Sequence, residues 1–446
     1  MARLLPPLLS LLLLLPAPAT SSTTVWDGTP DDKSAAAANT ESLSLALASL
    51  QPNDILNVPG ETYYLTGGVF ASGLVNATIH LDGTLKFAVD RSAWPTEDCK
   101  SGQCVKKAIL LQDVEGLTLT TSSPSIRGTL DGAGKSWWGY VNYLRYGEDR
   151  PKLFTISNGT DILVEGWDFK DSAYHTFHAD DVARLEVRGC TVDNRANDRD
   201  GHGPGNLRAL NTDGFDVSGR DIYIHDCKVW NQDDCFTIVP SSGSSINSDC
   251  TENVLIENVE ASGLGLTVGS ITPSAHHSCI RNITFRGALM HRTFKGIYIK
   301  SAANDHVDPS WTAEITGVLY ENVTMVEPKQ VPIWIGPAQE TENRDVSCSL
   351  AWPYVDRAKC PPPLGTVAWS NITLKDIRVL GATVSPGVVF GNEGRPMRGV
   401  VFDNVVFDEA EADAKPWGEE FYYCKGVEGI ARGGTWPVPP CFEVEE

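Results

Sequence analysis

The sequence predicts an all-β fold, a single-domain parallel β-helix, and two observations support this prediction. Short segments in which apolar and polar residues alternate recur, in all but one interval, at a spacing of roughly 22–37 residues, which is typical of solenoid proteins. No segment between about residues 155 and 410 has a convincing helical period. The recurring segments are 162–166, 184–188, 221–225, 253–257, 281–285, 317–321, 371–374 and 399–403.

The connections between these segments favour a β-helix over a sandwich or a barrel. Each segment is followed by a turn-forming Asn, Asp or Gly and then by a second short strand, as in Glu257-Asn258-Val259-Glu260. Sandwiches and barrels usually have Asn-Gly or Asp-Gly hairpin turns between strands, and such turns are sparse here. Stacked units of more than one strand are instead typical of a solenoid.

Two further segments fit this architecture. Residues 34–50 have a helical composition, and we expect a short N-terminal helix that caps the first coil, because the ends of a solenoid need protection. Residues 340–363 are rich in Pro and Cys, which predicts a loop tied by Cys348 and Cys360.

The first twenty residues predict a secretory signal peptide. Arg3 precedes a leucine-rich run, and small residues follow Pro16, so the three parts of such a peptide are present. A membrane span needs about 20 apolar residues, and Pro16 and Pro18 interrupt this run earlier. We therefore expect a secreted, extracellular protein in which residues 21–446 form the β-helical domain.

Asparagine and cysteine residues also fit export. Asn-x-Thr triplets, the acceptors of N-glycosylation, begin at Asn76, Asn158, Asn282, Asn322 and Asn371. The chain has 11 cysteines, which in an exported protein indicate disulfides rather than metal ligands. Proximity in sequence suggests the pairs Cys99–Cys104, Cys235–Cys250, Cys348–Cys360 and Cys424–Cys441, and leaves Cys190, Cys227 and Cys279 over.

The formal net charge of −21 argues against nucleic acid or an anionic membrane as a partner, because both attract basic patches. The charge does not itself indicate an acidic substrate. If the substrate is a polyanion, local lysine and arginine side chains must offset the overall field, aided by screening beyond roughly 8–10 Å. We expect a monomer.

Two aspartate motifs carry the candidate chemistry, Asn211-Thr212-Asp213-Gly214 and Asn231-Gln232-Asp233-Asp234. They lie about one coil apart, and equivalent positions on adjacent coils are about 4.8 Å apart, so we expect the three aspartates to converge. Hydrolysis of a glycosidic bond needs one protonated and one ionised carboxyl group. Repulsion among three neighbouring carboxylates raises the pKa of at least one of them.

Two alternative interpretations of these aspartates stay open. Asp and Asn often end strands in turns without any catalytic role. Clustered carboxylates also bind calcium, and a calcium site would favour a polysaccharide lyase on the same kind of fold.

The motifs resemble those of glycoside hydrolase family 28, which contains polygalacturonases and rhamnogalacturonan hydrolases. The resemblance extends from about residue 125 to 410 and includes, in the order of the family, the segments 128–132, 150–153, 211–214, 231–235, 263–270 and 296–301. It implies a right-handed parallel β-helix that hydrolyses α-glycosidic bonds of pectin by inversion, with no metal or other cofactor.

The resemblance also implies roles for individual residues. Asp233 matches the general acid, and Asp213 and Asp234 match the pair that activates water. Cys235 resembles a family cysteine beside the acid, and Cys250 fits the place of its disulfide partner.

Substrate contacts are implied near the aspartates. Lys300 matches a lysine that binds a uronate carboxylate, a role suited to a compact point charge. Asn211 and Gln232 are candidate substrate-binding residues within the two motifs, and Tyr298 is a further candidate that could stack on a sugar ring.

Two positions depart from the family pattern. Leu264 stands where polygalacturonases have the histidine of Gly-His-Gly, and Tyr298 stands where they have an arginine that helps to hold the uronate. Rhamnogalacturonan hydrolases also lack the histidine, but they usually have Asp-Glu in place of Asp233-Asp234.

The sequence therefore predicts an enzyme that acts on an acidic, pectin-like polysaccharide. The first hypothesis is a hydrolase of polygalacturonase or rhamnogalacturonan type. The alternatives are a calcium-dependent lyase and a non-catalytic carbohydrate-binding relative, which the missing histidine and arginine permit.

Overall fold

A computed structural model describes residues 21–97, 105–139, 149–195, 209–242, 246–302, 307–338, 348–352, 360–382, 384–408, 417 and 420–446. These residues form a parallel β-helix, as the sequence predicts, in which the strands of each coil pair with equivalent strands of the coils on either side. The predicted signal peptide and the predicted Cys99–Cys104 pair lie outside the described residues.

The strands and helices have the following bounds. The first strands are β1 (Thr23–Val25), β2 (Ile55–Val58), β3 (Thr62–Leu65), β4 (Val69–Ser72), β5 (Thr78–Leu81), β6 (Thr84–Phe87), β7 (Ile109–Glu115), β8 (Thr118–Thr120) and β9 (Gly128–Asp131). The central strands are β10 (Phe154–Glu165), β11 (Trp167–Lys170), β12 (Phe177–Arg188), β13 (Thr191–Asp193), β14 (Phe215–His225), β15 (Lys228–Trp230), β16 (Phe236–Ile238), β17 (Thr251–Ser262) and β18 (Leu266–Ile271). The last strands are β19 (Ser278–His291), β20 (Ile297–Ser301), β21 (Ala313–Val326), β22 (Ile333–Pro337), β23 (Val367–Leu380), β24 (Gly387–Phe390), β25 (Met397–Asp408), β26 (Tyr422–Lys425), β27 (Val427–Arg432) and β28 (Phe442–Val444). The helices are α1 (Ala36–Ala48) and α2 (Cys348–Ala351), with 3-10 turns at Lys33–Ala35, Arg91–Ala93 and Gly134–Ser136.

One of the faces of the helix, called here the front face, positions the candidate site. It consists of β4, the first parts of β7, β10, β12 and β14, and then β16, β18, β20, β22, β24 and β26. The segments recognised from the sequence lie on a second face, where β17 pairs in register with β19 and β19 with β21.

Asparagine residues at the corners let one long strand cross two faces. Asn258 in β17 has a φ of 53° and Asn322 in β21 a φ of 55°, a left-handed conformation that asparagine tolerates better than most residues. The five asparagines of the predicted glycosylation triplets all have φ between 50° and 55°. The corner geometry therefore explains why this residue recurs, and glycosylation stays a prediction.

The N-terminal end of the stack is capped as predicted. Helix α1 buries Leu43 and Leu47 against the core of the first coils. Burying a leucine side chain contributes roughly 1.5–3 kcal/mol, so the two residues hold the cap in place. Within the described residues, the helices are too short and too polar to cross a membrane.

The disulfides confirm two predicted pairs and correct a third. Cys348–Cys360 and Cys424–Cys441 are bonded as predicted. The prediction that Cys235 pairs with Cys250 is wrong, because Cys250 is bonded to Cys279 and Cys235 is a buried free thiol. Cys250 and Cys279 occupy equivalent positions on adjacent coils, with a Cα–Cα distance of 4.8 Å, whereas Cys235 is buried within the core.

Candidate active site

Four stacked phenylalanines in the core set the register of the candidate site. Phe154, Phe177, Phe215 and Phe236 pair along the front face, and successive ring centroids are 5.7, 5.4 and 5.3 Å apart. The residue two positions before each phenylalanine lies in the turn that leads into the front face. These residues, called here the turn ladder, are Lys152, His175, Asp213 and Asp234.

The three predicted aspartates converge at this turn. Asp213, Asp233 and Asp234 are only 7, 8 and 2 % exposed, and one carboxylate oxygen of each lies within 4.8 Å of the others. Three carboxyl groups buried this closely cannot all be ionised, because burial and mutual repulsion both disfavour the charged forms.

Asp233 is one of two carboxyl groups of this cluster, with Asp213, whose raised pKa lets it hold a proton near neutral pH. Burial, and then the charge of Asp234, raise the pKa of Asp233 to about 7. Its oxygens accept hydrogen bonds from the main-chain N–H groups of Asn211 (2.8 Å) and Asp234 (2.9 Å), which fix the side chain in place. The main chain of Asn211 has a left-handed turn conformation, with φ of 60°, and from this turn its N–H group donates to Asp233.

Asp234 has the environment of an ionised carboxylate. Lys300 donates to it from Nζ at 2.8 Å, and Thr267 donates to its other oxygen at 2.6 Å. Lys300 is 5 % exposed; burial opposes its charge, but the charge of Asp234 raises the pKa of Lys300 above its ordinary value. The ammonium group predicted to bind a substrate carboxylate is therefore engaged by Asp234.

Two buried polar atoms in the two aspartate motifs lack a hydrogen-bond partner within the described parts of the chain. They are Oδ1 of Asp213 and Nε2 of Gln232. Burial, and then the charge of Asp233, raise the pKa of Asp213 well above its ordinary value. Because buried polar groups are almost always satisfied, these atoms indicate a place for a water molecule or a sugar hydroxyl. The side chain of Asn211 is only half-buried and forms no hydrogen bond with a described residue.

The sequence analysis missed two histidines beside Asp216, one of which, His175, also approaches Asp213. His175 Nδ1 lies 2.5 Å from Asp216 Oδ2, and His175 Nε2 lies 3.7 Å from Asp213 Oδ1. Burial alone would raise the pKa of Asp216, but the facing His175 and His178 hold that pKa below its ordinary value. The repeated x-x-Phe spacing of the turn ladder is the signal that could have placed His175 next to Asp213.

The two departures from the family pattern pack against the same aromatic cluster. Tyr298 is 0 % exposed, and its hydroxyl is hydrogen-bonded to Ser349. Leu264 and Tyr298 share a buried apolar cluster with Trp334 and Trp352, outside the core of the helix. The prediction that Tyr298 stacks on a sugar ring is therefore wrong, because neighbouring side chains cover the ring completely.

In the part of the chain that the structure describes, two side-chain clusters have the spacing of metal ligands, namely Asp213, Asp233 and Asp234, and His175, His178 and Asp216. Each already faces a lysine. Lys300 lies on Asp234, and Lys152 Nζ is 3.2 Å from His178 Nε2. An ammonium group in each position competes with a metal cation, which weakens the calcium interpretation.

The chain is similar in sequence to known glycoside hydrolases. The family described as glycosyl hydrolases family 28 matches residues 51–417. A probable endo-xylogalacturonan hydrolase A of Aspergillus niger is 29 % identical over 272 residues, which cover 60 % of this chain and 59 % of that protein. A polygalacturonase of Cochliobolus carbonum is 28 % identical over 219 residues, which cover 47 % of this chain and 53 % of that protein. The chain thus spans about half the length of the curated relatives it matches.

Solved structures share the fold. The endo-xylogalacturonan hydrolase of Aspergillus tubingensis aligns with a TM-score of 0.61 at 20 % identity, covering 96 % of this chain and 98 % of that one. The polygalacturonase of Erwinia carotovora aligns with a TM-score of 0.63 at 19 % identity, covering 92 % of this chain and 96 % of that one. The fold is that of the right-handed parallel β-helix proteins.

Proposed function

Because the chain belongs to glycoside hydrolase family 28, we propose that it is a secreted hydrolase that cleaves α-glycosidic bonds of a pectin-type galacturonan. The observation that carries the proposal is that two neighbouring aspartates have opposite environments, one suited to a protonated carboxyl group and the other to an ionised one. Burial raises the pKa of Asp233 to about 7, whereas Lys300 and Thr267 stabilise a charge on Asp234. Glycoside hydrolysis requires one acid and one base of this kind.

The geometry supports the following sequence of events. Asp233 gives its proton to the glycosidic oxygen as the bond to the sugar carbon breaks. Asp234, ionised beside Lys300, accepts a proton from the attacking water, and the free Oδ1 of Asp213 orients that water. After one turnover the proton has moved from water to the base and from the acid to the product, and exchange with solvent restores both groups.

Inversion of the anomeric carbon is proposed from family membership, not from the carboxylate spacing. One oxygen of each aspartate lies within 4.8 Å of the others, whereas the two carboxyl groups of inverting enzymes are commonly about 6.5–9.5 Å apart. NMR of the first product formed decides the question. The β-anomer from an α-linked substrate supports inversion, and the α-anomer refutes it.

Release of reducing ends is the test of the activity itself. The purified protein is assayed at mildly acidic pH, with a chelator present, on polygalacturonan, rhamnogalacturonan and xylogalacturonan. Hydrolysis that survives the chelator and disappears in Asp233→Asn supports the proposal. Unsaturated products that require calcium would instead indicate a lyase, and inactivity on all three glycans would favour the binding-only relative.

A further inference from the structure

Family membership leaves open how this chain recognises an acidic sugar. The lysine that matches the uronate-binding position, Lys300, contacts Asp234 at 2.8 Å. The neighbouring position that should carry an arginine is Tyr298, which is fully buried. If the substrate is a galacturonan, other cations must meet its carboxylates.

A groove of about 310 Å³ lies beside the aspartates, toward the N-terminal coils. Its lining, called here the basic groove, includes Lys107, Lys152, Thr155 and His178. The His178 ring lies 6.1 Å from that of His175, which contacts Asp213. The groove therefore adjoins the site of bond cleavage.

The two lysines of the basic groove are stacked along the front face. Ala108 N–H donates to the carbonyl of Lys152 at 2.8 Å, so Lys107 and Lys152 occupy equivalent positions on adjacent coils. With about 4.8 Å per coil, Lys152 lies roughly 10 Å from Asp213 along the helix axis, and Lys107 roughly 14 Å. A glycan chain extended along the front face from Asp213 passes both ammonium groups.

Neither lysine forms an ion pair with a described carboxylate, although the charges of Asp216, Asp180 and Asp213 act on Lys152 from a greater distance. No described carboxylate lies within 4 Å of Lys107 or Lys152, and the contact made by Lys152 Nζ is with His178 Nε2. Burial lowers the pKa of Lys152 below its ordinary value. A half-buried ammonium without a carboxylate is unfavourable, and an anionic ligand removes this penalty.

Other polar groups of the groove point to a ligand as well. Thr155 is 2 % exposed, and its hydroxyl has no hydrogen-bond partner in the described structure. Among the described residues, three lysine or arginine side chains line the groove against two acidic ones, Asp180 and Glu97, although the whole chain carries a net charge of −21. The third basic residue, Arg150, donates to the carbonyls of Ala173 and Leu210 and so braces the neighbouring turns.

We propose that the basic groove is a carboxylate-binding subsite in which Lys152 and Lys107 bind uronate groups of the glycan, while the Thr155 hydroxyl bonds a sugar oxygen. This inference rests on the proposed function for the class of substrate. It assigns the recognition of acidic sugars to the coils before Asp213 rather than to Lys300.

Binding to an inactive protein tests the subsite separately from catalysis. In the Asp233→Asn background, calorimetry measures Kd for a galacturonate oligomer and for its methyl ester. Replacing a lysine by an uncharged residue should raise the Kd of the acidic oligomer about tenfold, because it removes one charge-assisted hydrogen bond. We expect Lys152→Met and Lys107→Met to do so, with less than a twofold change for the ester.

Matched variants separate charge from structure. Lys106→Met removes an exposed lysine next in sequence to Lys107 and should leave both Kd values unchanged, whereas Lys152→Arg should retain most of the affinity for the acidic oligomer. Unchanged Kd values in Lys152→Met and Lys107→Met, or equal weakening for acid and ester, overturn the inference. If the wild type hydrolyses the glycan but the lysine variants bind the acidic oligomer as tightly as their parent, the proposed function stands and the subsite does not. If binding depends on the lysines but the wild type hydrolyses none of the glycans, the subsite stands and the proposed function does not.

Discussion

Replacing Asp233 by asparagine should change stability in a way that depends on pH. The folded protein raises the pKa of this carboxyl group from 3.8 to about 7. A carboxyl group with a raised pKa contributes stability that is fully present below pH 3.8 and is lost as the pH rises through about 7. Asparagine cannot ionise, so the variant loses none of its stability by this route.

The size of the effect follows from the shift. A shift of about three pKa units corresponds to about 4 kcal/mol, at 1.36 kcal/mol per unit. The free energy of unfolding of the wild type minus that of Asp233→Asn should therefore be about 4 kcal/mol smaller at pH 8.5 than at pH 3.5. The same deprotonation should lower the rate of hydrolysis as the pH rises through about 7.

Urea unfolding followed by tryptophan fluorescence measures this difference, since the chain has 12 tryptophans. Titrating groups far from Asp233 cancel when the two proteins are compared at each pH. Asp221→Asn, at a partly exposed corner of β14, is the matched control and should change stability by less than about 0.5 kcal/mol at either pH. A difference between wild type and Asp233→Asn that is the same at pH 3.5 and pH 8.5 would refute the raised pKa.

Three further predictions concern single contacts. His175→Gln removes the partner of Asp216 and the contact with Asp213. We expect kcat to fall roughly 10- to 100-fold and its pH profile to change. An unchanged pH profile would mean that His175 has only a packing role. Lys300→Met leaves Asp234 buried without its cation, so stability should fall by roughly 3–5 kcal/mol and activity should fall with it. Activity and stability equal to those of the wild type would contradict this role of Lys300. Peptide mapping without reduction should find Cys250 linked to Cys279. Cys250→Ser should lower the free energy of unfolding by roughly 2–5 kcal/mol. Recovery of a peptide that links Cys235 to Cys250 would contradict the Cys250–Cys279 assignment.

The repeat pattern was sufficient to predict the fold because each coil carries its own local signal. Alternating segments such as Ile222 to Ile224 place apolar side chains in the core and polar ones outside. The capping helix and two of the three disulfides described here could also be predicted, because their residues are close in sequence. The Cys250–Cys279 bond joins adjacent coils, so proximity in sequence favoured the wrong partner.

The aspartates were predictable for a different reason. Asp213, Asp233 and Asp234 lie in two motifs about one coil apart, so an approximate repeat length was enough to bring them together. The environments of these groups were not predictable, since the proton on Asp233 depends on burial and the charge on Asp234 depends on Lys300, 66 residues away.

The sequence by itself determined the β-helix, its N-terminal cap and the identity of the acid cluster, because short periodic segments and local motifs encode them. The tertiary structure placed Lys152 and His175 in line with Asp213. The turns between successive coils differ in length, so the x-x-Phe spacing indicates this stacking only when the register of the phenylalanines is known. The tertiary structure also showed that Leu264 and Tyr298, which replace a histidine and an arginine of the family pattern, belong to one buried apolar cluster. Contacts between coils depend on which residues the register stacks, and the stacked phenylalanines of the core fix that register.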